Sequence, residues 1–131
     1  MTLVFDTSIL IEIERNNQSV IAKIAELSKQ HPLTPETTFI NEFEFRMGIK
    51  ERNLKNKEKA MAFVYNFPTL HTNKHTAFIM VDLKSKYDKK GLVILLADLI
   101  IASIVIESNK VLVTRDKIFE QVEELRKIII E

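Results

Sequence analysis

The side chains able to do chemistry in this 131-residue sequence are oxygen ligands. It holds no Cys and three His, which removes thiol catalysis, disulfide frameworks and cysteine-based zinc sites together. Asp6 follows directly on the apolar run Leu3-Val4-Phe5, and Asp116 follows Val111-Leu112-Val113 after Thr114 and Arg115. Asp98 stands eighteen residues before Asp116, inside an apolar stretch, and Glu44 adds a fourth carboxylate in a segment of helical spacing. Carboxylates gathered at one place repel one another unless a cation compensates them. An oxygen-only set favours a hard divalent ion, Mg²⁺ or Mn²⁺, over zinc. Mg²⁺ held by few carboxylates keeps several waters, and one of these can attack a phosphodiester. The chemistry indicated is metal-assisted phosphoryl hydrolysis.

Such a site needs elements that bring these residues to one place. Leu3-Val4-Phe5 and Lys110 to Val113 are short, non-alternating apolar runs, the pattern of strands covered on both faces. Leu33-Thr34 and Ile128 to Ile130 are two further short strands in this reading. Helices are expected over Ile9–Arg15, from Val20 to Leu27, from a cap at Thr37 or Thr38 to about Arg52, and from Glu58 to Asn66. Another carries Phe78, Ile79, Leu83 and Tyr87 behind Asn73 as a cap and ends at Gly91. A last helix starts at about Asp98 and is apolar on almost every side through Ile106, which predicts burial on more than one face. Strands alternating with helices imply crossover connections and a mostly parallel sheet, whose sites lie beyond the carboxyl ends of the strands. Asp6 and Asp116 fall at that edge. Each aspartate also suits a plain helix or turn cap, the commonest use of Asp in such positions.

Composition narrows the class. The 46% apolar and 28% charged fractions are globular values, and the length predicts a single domain spanning 1–131. Two Gly and three Pro leave no room for a Gly-rich phosphate cradle. Lys+Arg 19 against Asp+Glu 18 gives +1, so no global field announces nucleic acid or membrane. Gly91 to Ile106, the most apolar stretch, is interrupted by Asp98 and is shorter than the roughly 20 residues of a span. No basic leader precedes the first apolar run, and a cytoplasmic location is expected.

Other features have ordinary readings. His71 and His75 have i, i+4 spacing, but a cap at Asn73 leaves His71 outside the helix. The basic run Lys50 to Lys59 suits a solvated helix surface, with RNA phosphates as the functional alternative. Arg46 and Arg115 are stronger candidates for touching substrate, or else ion-pair partners. Core packing is expected to take Phe39, Phe43 and Met47, leaving Phe45 or Ile49 available to a partner.

The sequence resembles the PIN-domain ribonucleases, especially the VapC-type toxins of toxin–antitoxin pairs. The resemblance rests on Asp6-Thr7-Ser8, on Glu44-Phe45-Arg46-Met47-Gly48, and on Asp98-Leu99-Ile100-Ile101-Ala102 with Thr114-Arg115-Asp116-Lys117-Ile118-Phe119. It implies a three-layer α/β/α fold with a short, mostly parallel central sheet. It further implies Asp6, Glu44, Asp98 and Asp116 as the acidic quartet, with Asp6, Asp98 and Asp116 holding Mg²⁺ or Mn²⁺ and Thr114 supporting them. Glu42 and Glu44 lie about 200° apart on a helix, so only one can face the site. The step to Gly48 selects Glu44, with Glu42 as the alternative. RNA as substrate, a cognate antitoxin and a homodimer follow from the same resemblance, with Arg46, Arg115 and Lys50 as substrate contacts. Two readings compete: a PIN nuclease that matures RNA without being a toxin, and a non-catalytic RNA-binding module. A phospho-acceptor domain would want an acidic neighbour for Asp6, which has none, and a phosphatase with an Asp nucleophile would want an acid at position 8, which is Ser8.

Overall fold

A computed structural model describes residues 1–131. Strand β1 (Leu3–Phe5) pairs in parallel with β4 (Val111–Thr114), and β4 with β5 (Lys127–Ile129). A second parallel pair, β2 (Thr37–Thr38) and β3 (Thr69–Leu70), joins this sheet through a parallel bridge between Val4 and Glu36. Helices α1 (Thr7–Glu14), α2 (Gln18–Gln30), α3 (Phe39–Ile49), α4 (Leu54–Tyr65), α5 (Thr76–Lys89) and α6 (Leu96–Ser108) supply the crossovers.

The strand period of two decides the layers. Leu3, Phe5, Val111 and Val113 point to one face and pack with Ile9, Leu10, Val20, Phe45, Ile49 and Val64 from α1 to α4. Val4 and Leu112 point to the other and pack with Leu83, Tyr87, Leu99, Ile101 and Val105 from α5 and α6. Both faces of the sheet are therefore covered, the arrangement the continuous apolar runs imply. α6 buries Leu99, Ile101, Ala102, Ser103, Ile104 and Val105, as a helix apolar all round must. Gly91 ends the α5 region with φ +74°, and the Leu92 N–H reaches back to the Tyr87 carbonyl.

Two expectations are corrected, and one strand is without an expectation. Leu33-Thr34 is not a strand: Pro32 and Pro35 enclose it, neither can donate to a ladder, and the sheet instead gains Glu36 and β2. β3, two residues long behind Pro68, is too short to leave a periodic signal. The packing of α3 is reversed: Phe45 is 1% and Ile49 2% exposed, whereas Phe43 is 60% and Met47 55% exposed. Asn41, Phe45 and Ile49 form one i, i+4, i+8 stripe, and the polar residue at its head disguises the stripe as a surface. No helix is long and apolar enough to cross a membrane.

Candidate active site

Asp6 leaves the end of β1 at the cap position of α1, yet its side chain makes no cap bond to that helix. It turns to its neighbours instead. Asn41 Nδ2 donates to Asp6 Oδ1 at 2.7 Å, Thr114 Oγ1 donates to Oδ2 at 2.6 Å, and Ser8 Oγ donates to Oδ2 at 3.3 Å. Asp6 is 6% exposed; desolvation, reinforced by repulsion from Asp116, raises its pKa against the lowering effect of Thr114, the Thr7 backbone N–H and Asn41.

The other acids arrive from three different elements. Glu44 comes from α3 and accepts a bond from Thr7 Oγ1 at 2.6 Å, which places it beside the start of α1. Asp116 follows β4 and caps a 3₁₀ turn over Lys117–Gln121 by accepting from the Ile118 N–H at 3.1 Å. Its own N–H donates to Thr114 Oγ1 at 3.0 Å, so one hydroxyl links the two strand ends. Asp98 sits two residues inside α6, whose start at Leu96 is earlier than expected, and no side chain caps that helix. Its pKa is pushed up to about 6, by desolvation first and then by the charges of Asp116, Asp6 and Glu44. All four acids therefore share one electrostatic neighbourhood at the carboxyl end of the sheet.

This excess of negative charge has no cation built against it. Arg46 pairs with Glu42 at 2.8 Å and Arg115 with Glu12 at 3.5 Å, so the arginines nearest in sequence are ion-paired to other acids. No three of the carboxylates converge tightly enough to share one ion as a closed protein cage. Mg²⁺ does not require that, since it commonly takes one or two carboxylates and keeps water elsewhere. The oxygen-only donor set, with Asp6 held in place and Asp98 repelled by the other three, fits such an ion.

Glu42 and Glu44 separate as the helix period requires: Glu42 faces Arg46 and Thr69, and Glu44 faces Thr7. Lys50 and Arg46 lie with Phe43, Met47, Lys57 and Met61 along a groove of about 390 Å³ between α3 and α4. His71 and His75 do not form a metal pair, because His71 lies outside α5 and stacks on Phe39 at 5.6 Å. Asn41 carries no signal in the sequence. An amide three residues after a Thr cap suggests no catalytic part, and only the fold brings it to Asp6. Thr7 and Ser8 stand out as part of the opening motif, but not as partners of Glu44 and Asp6.

The fold is shared with several solved structures. The chain aligns with one in the crystal structure of VapBC2 from Rickettsia felis bound to a DNA fragment from their promoter, at TM-score 0.84 and 23% identity, covering 98% of both chains. DNA-bound VapBC from Salmonella typhimurium aligns at TM-score 0.82 and 18% identity, over 98% of both chains. FitAcB from Neisseria gonorrhoeae aligns at TM-score 0.80 and 21% identity, over 97% of this chain and 96% of that one. No curated protein matches in sequence. The model of the PIN domain, however, matches residues 3–125, nearly the whole run from β1 to the turn before β5, and the chain belongs to the PIN-domain family of nucleases.

Proposed function

We propose that the protein is a metal-dependent endoribonuclease of VapC type, hydrolysing RNA phosphodiester bonds as the toxin of a toxin–antitoxin pair in the cytoplasm. The observation that carries this reading is the meeting of Asp6, Glu44, Asp98 and Asp116, from four different elements, at the end of a parallel sheet, where Asp98 is desolvated and feels the charges of the other three. Asp6 and Asp98 would hold Mg²⁺ or Mn²⁺ most directly, and Asp116 directly or through water. When bound, such an ion would lower the pKa of a coordinated water and stabilise charge on the phosphodiester. Asp6, fixed by Asn41 and Thr114, is held in place with no reorganisation needed at the moment of reaction. Glu44, held by Thr7, is placed to orient water or metal. The cationic edge of Arg46, Lys50 and Lys57 is where the RNA backbone would lie, because phosphate affinity comes from neutralised charge. Arg115 would reach substrate only by releasing Glu12.

An antitoxin partner is supported by the matching structures, among them a toxin–antitoxin complex from Klebsiella pneumoniae. A homodimer is supported by exposed apolar side chains: Val81 and Leu96 line an apolar cavity between α5 and α6, and Val93 and Leu95 are exposed in the segment before α6. The purified chain should cleave RNA with Mg²⁺ or Mn²⁺ and stop in EDTA. Cleavage that persists in EDTA, or in an Asp6→Asn, Asp98→Asn double variant, excludes the mechanism. Metal-dependent RNA binding without cleavage would favour a binding module.

A further inference from the structure

We infer that Asn41 is a positioning residue that sets two acids of the site, Asp6 and Glu44, through one amide group. The inference rests on the metal-dependent reading above. Asn41 is 0% exposed and heads the stripe that Phe45 and Ile49 bury, a place where an aliphatic side chain would pack. Burying an amide there is favourable only if its hydrogen bonds are made. They are, and all run in one direction. Thr38 Oγ1 donates to Asn41 Oδ1 at 2.7 Å, and the acceptor-only carboxylate of Asp6 fixes which end of the amide is the nitrogen. The amide nitrogen then donates one hydrogen to Asp6 Oδ1 at 2.7 Å and the other to Thr7 Oγ1 at 3.0 Å. Because Thr7 accepts from Asn41, its own hydrogen is free for Glu44, at 2.6 Å.

The chain of donors therefore starts at the Thr38 cap of α3 and ends on two carboxylates that come from different elements. Turning the amide over would set its carbonyl against Asp6 and take the donor from Thr7. The amide is also neutral. An Arg or Lys at this position would anchor the same acids but cancel the negative charge a divalent cation needs, whereas Asn41 orients them and leaves that charge intact. Thr114, by contrast, donates to Asp6 alone.

The test is Mn²⁺ binding to the purified full chain without RNA, by calorimetry, beside RNA-cleavage kinetics and melting in EDTA. Asn41→Ala should weaken Mn²⁺ binding about tenfold, the scale for losing a partner of a metal-holding carboxylate. It should lower kcat while leaving KM for RNA unchanged. Thr7→Val cuts only the branch to Glu44 and should cost less, and adding it to Asn41→Ala should cost less than it does alone. Should Asn41→Ala fail to fold, Thr38→Val, which removes the donor that orients the amide, should show the same loss in smaller measure. A lower melting temperature with Mn²⁺ affinity and kcat unchanged makes Asn41 structural only and overturns the inference. Asp6→Asn separates the two levels. If it abolishes Mn²⁺ binding while Asn41→Ala does not change it, the metal reading stands and the positioning role falls. If Asp6→Asn leaves Mn²⁺ binding unchanged, both fall.

Discussion

Asp6 and Asp98 carry the same carboxylate, both are desolvated, and both have a raised pKa. They are held in opposite ways. Asp6, at the end of β1, takes bonds from Asn41, Thr114 and Ser8, so its burial is compensated by donors. Asp98, in the first turn of α6, has no donor lowering its pKa and is left with repulsion from three other acids. One region is a finished structural joint; the other is a charge imbalance that folding alone does not relieve. The contrast separates a carboxylate that donors hold in place from one left uncompensated, the pattern expected where stability is given up for function.

Five measurements break or sharpen that contrast. Asp6→Asn and Asp98→Asn should each lower RNA cleavage at least about a hundredfold, the scale for losing one charge-stabilising group in a transition state. Glu44→Gln should be far more damaging than Glu42→Gln, because Glu42 faces Arg46. Equal losses at positions 42 and 44 would mean α3 presents a different face.

In EDTA at neutral pH the two aspartate variants should move the melting temperature in opposite directions. Asn at position 6 sets an amide nitrogen against existing donors and lowers it, an unsatisfied contact costing roughly 1–3 kcal/mol. Asn at position 98 removes repulsion and raises it. For this half-exposed group, solvent screening leaves on the order of 1 kcal/mol, a few degrees in Tm. A drop in both would show that Asp98 acts mainly through the α6 dipole.

The pH dependence follows from the same group. A carboxylate whose folded pKa is raised binds its proton more tightly folded than unfolded, so stability is lost as pH rises between the two values. For Asp98 that window runs from 3.8 to about 6. The difference in Tm between Asp98→Asn and the native chain should be small at the acidic end, open through the window, and stay open above it. A difference independent of pH would mean the charge of Asp98 is not the cause. The smallest effect belongs to Glu42→Gln, which removes one exposed i, i+4 pair and should change stability by about 0.5 kcal/mol or less.

The acids and their element types are legible in the primary structure for a physical reason. A short apolar run ended by Asp is a local pattern that survives without knowledge of neighbours, whereas the eighteen-residue step from Asp98 to Asp116 gains its meaning from the family resemblance. The helix period likewise sets Glu42 and Glu44 on different faces by spacing alone. α3 shows where local pattern stops. It carries two apolar stripes, Phe45 with Ile49 and Phe43 with Met47, and amphipathicity alone does not choose between them.

What the residues alone determined is therefore the donor chemistry, the alternation of strands with helices and the edge at which the acids emerge. What only the tertiary structure decided is which side chains compensate which acids. Asn41 lies 35 residues from Asp6, and Thr114 lies 108 residues from it. No local rule links such distant positions; parallel pairing of β1 with β4 and docking of α3 against α1 do. The same docking turns the stripe headed by Asn41 inward and leaves Phe43 and Met47 in solvent. Burial must satisfy the amide as well as the aromatic ring, and Asp6 supplies the acceptor that makes this face of α3 the buried one.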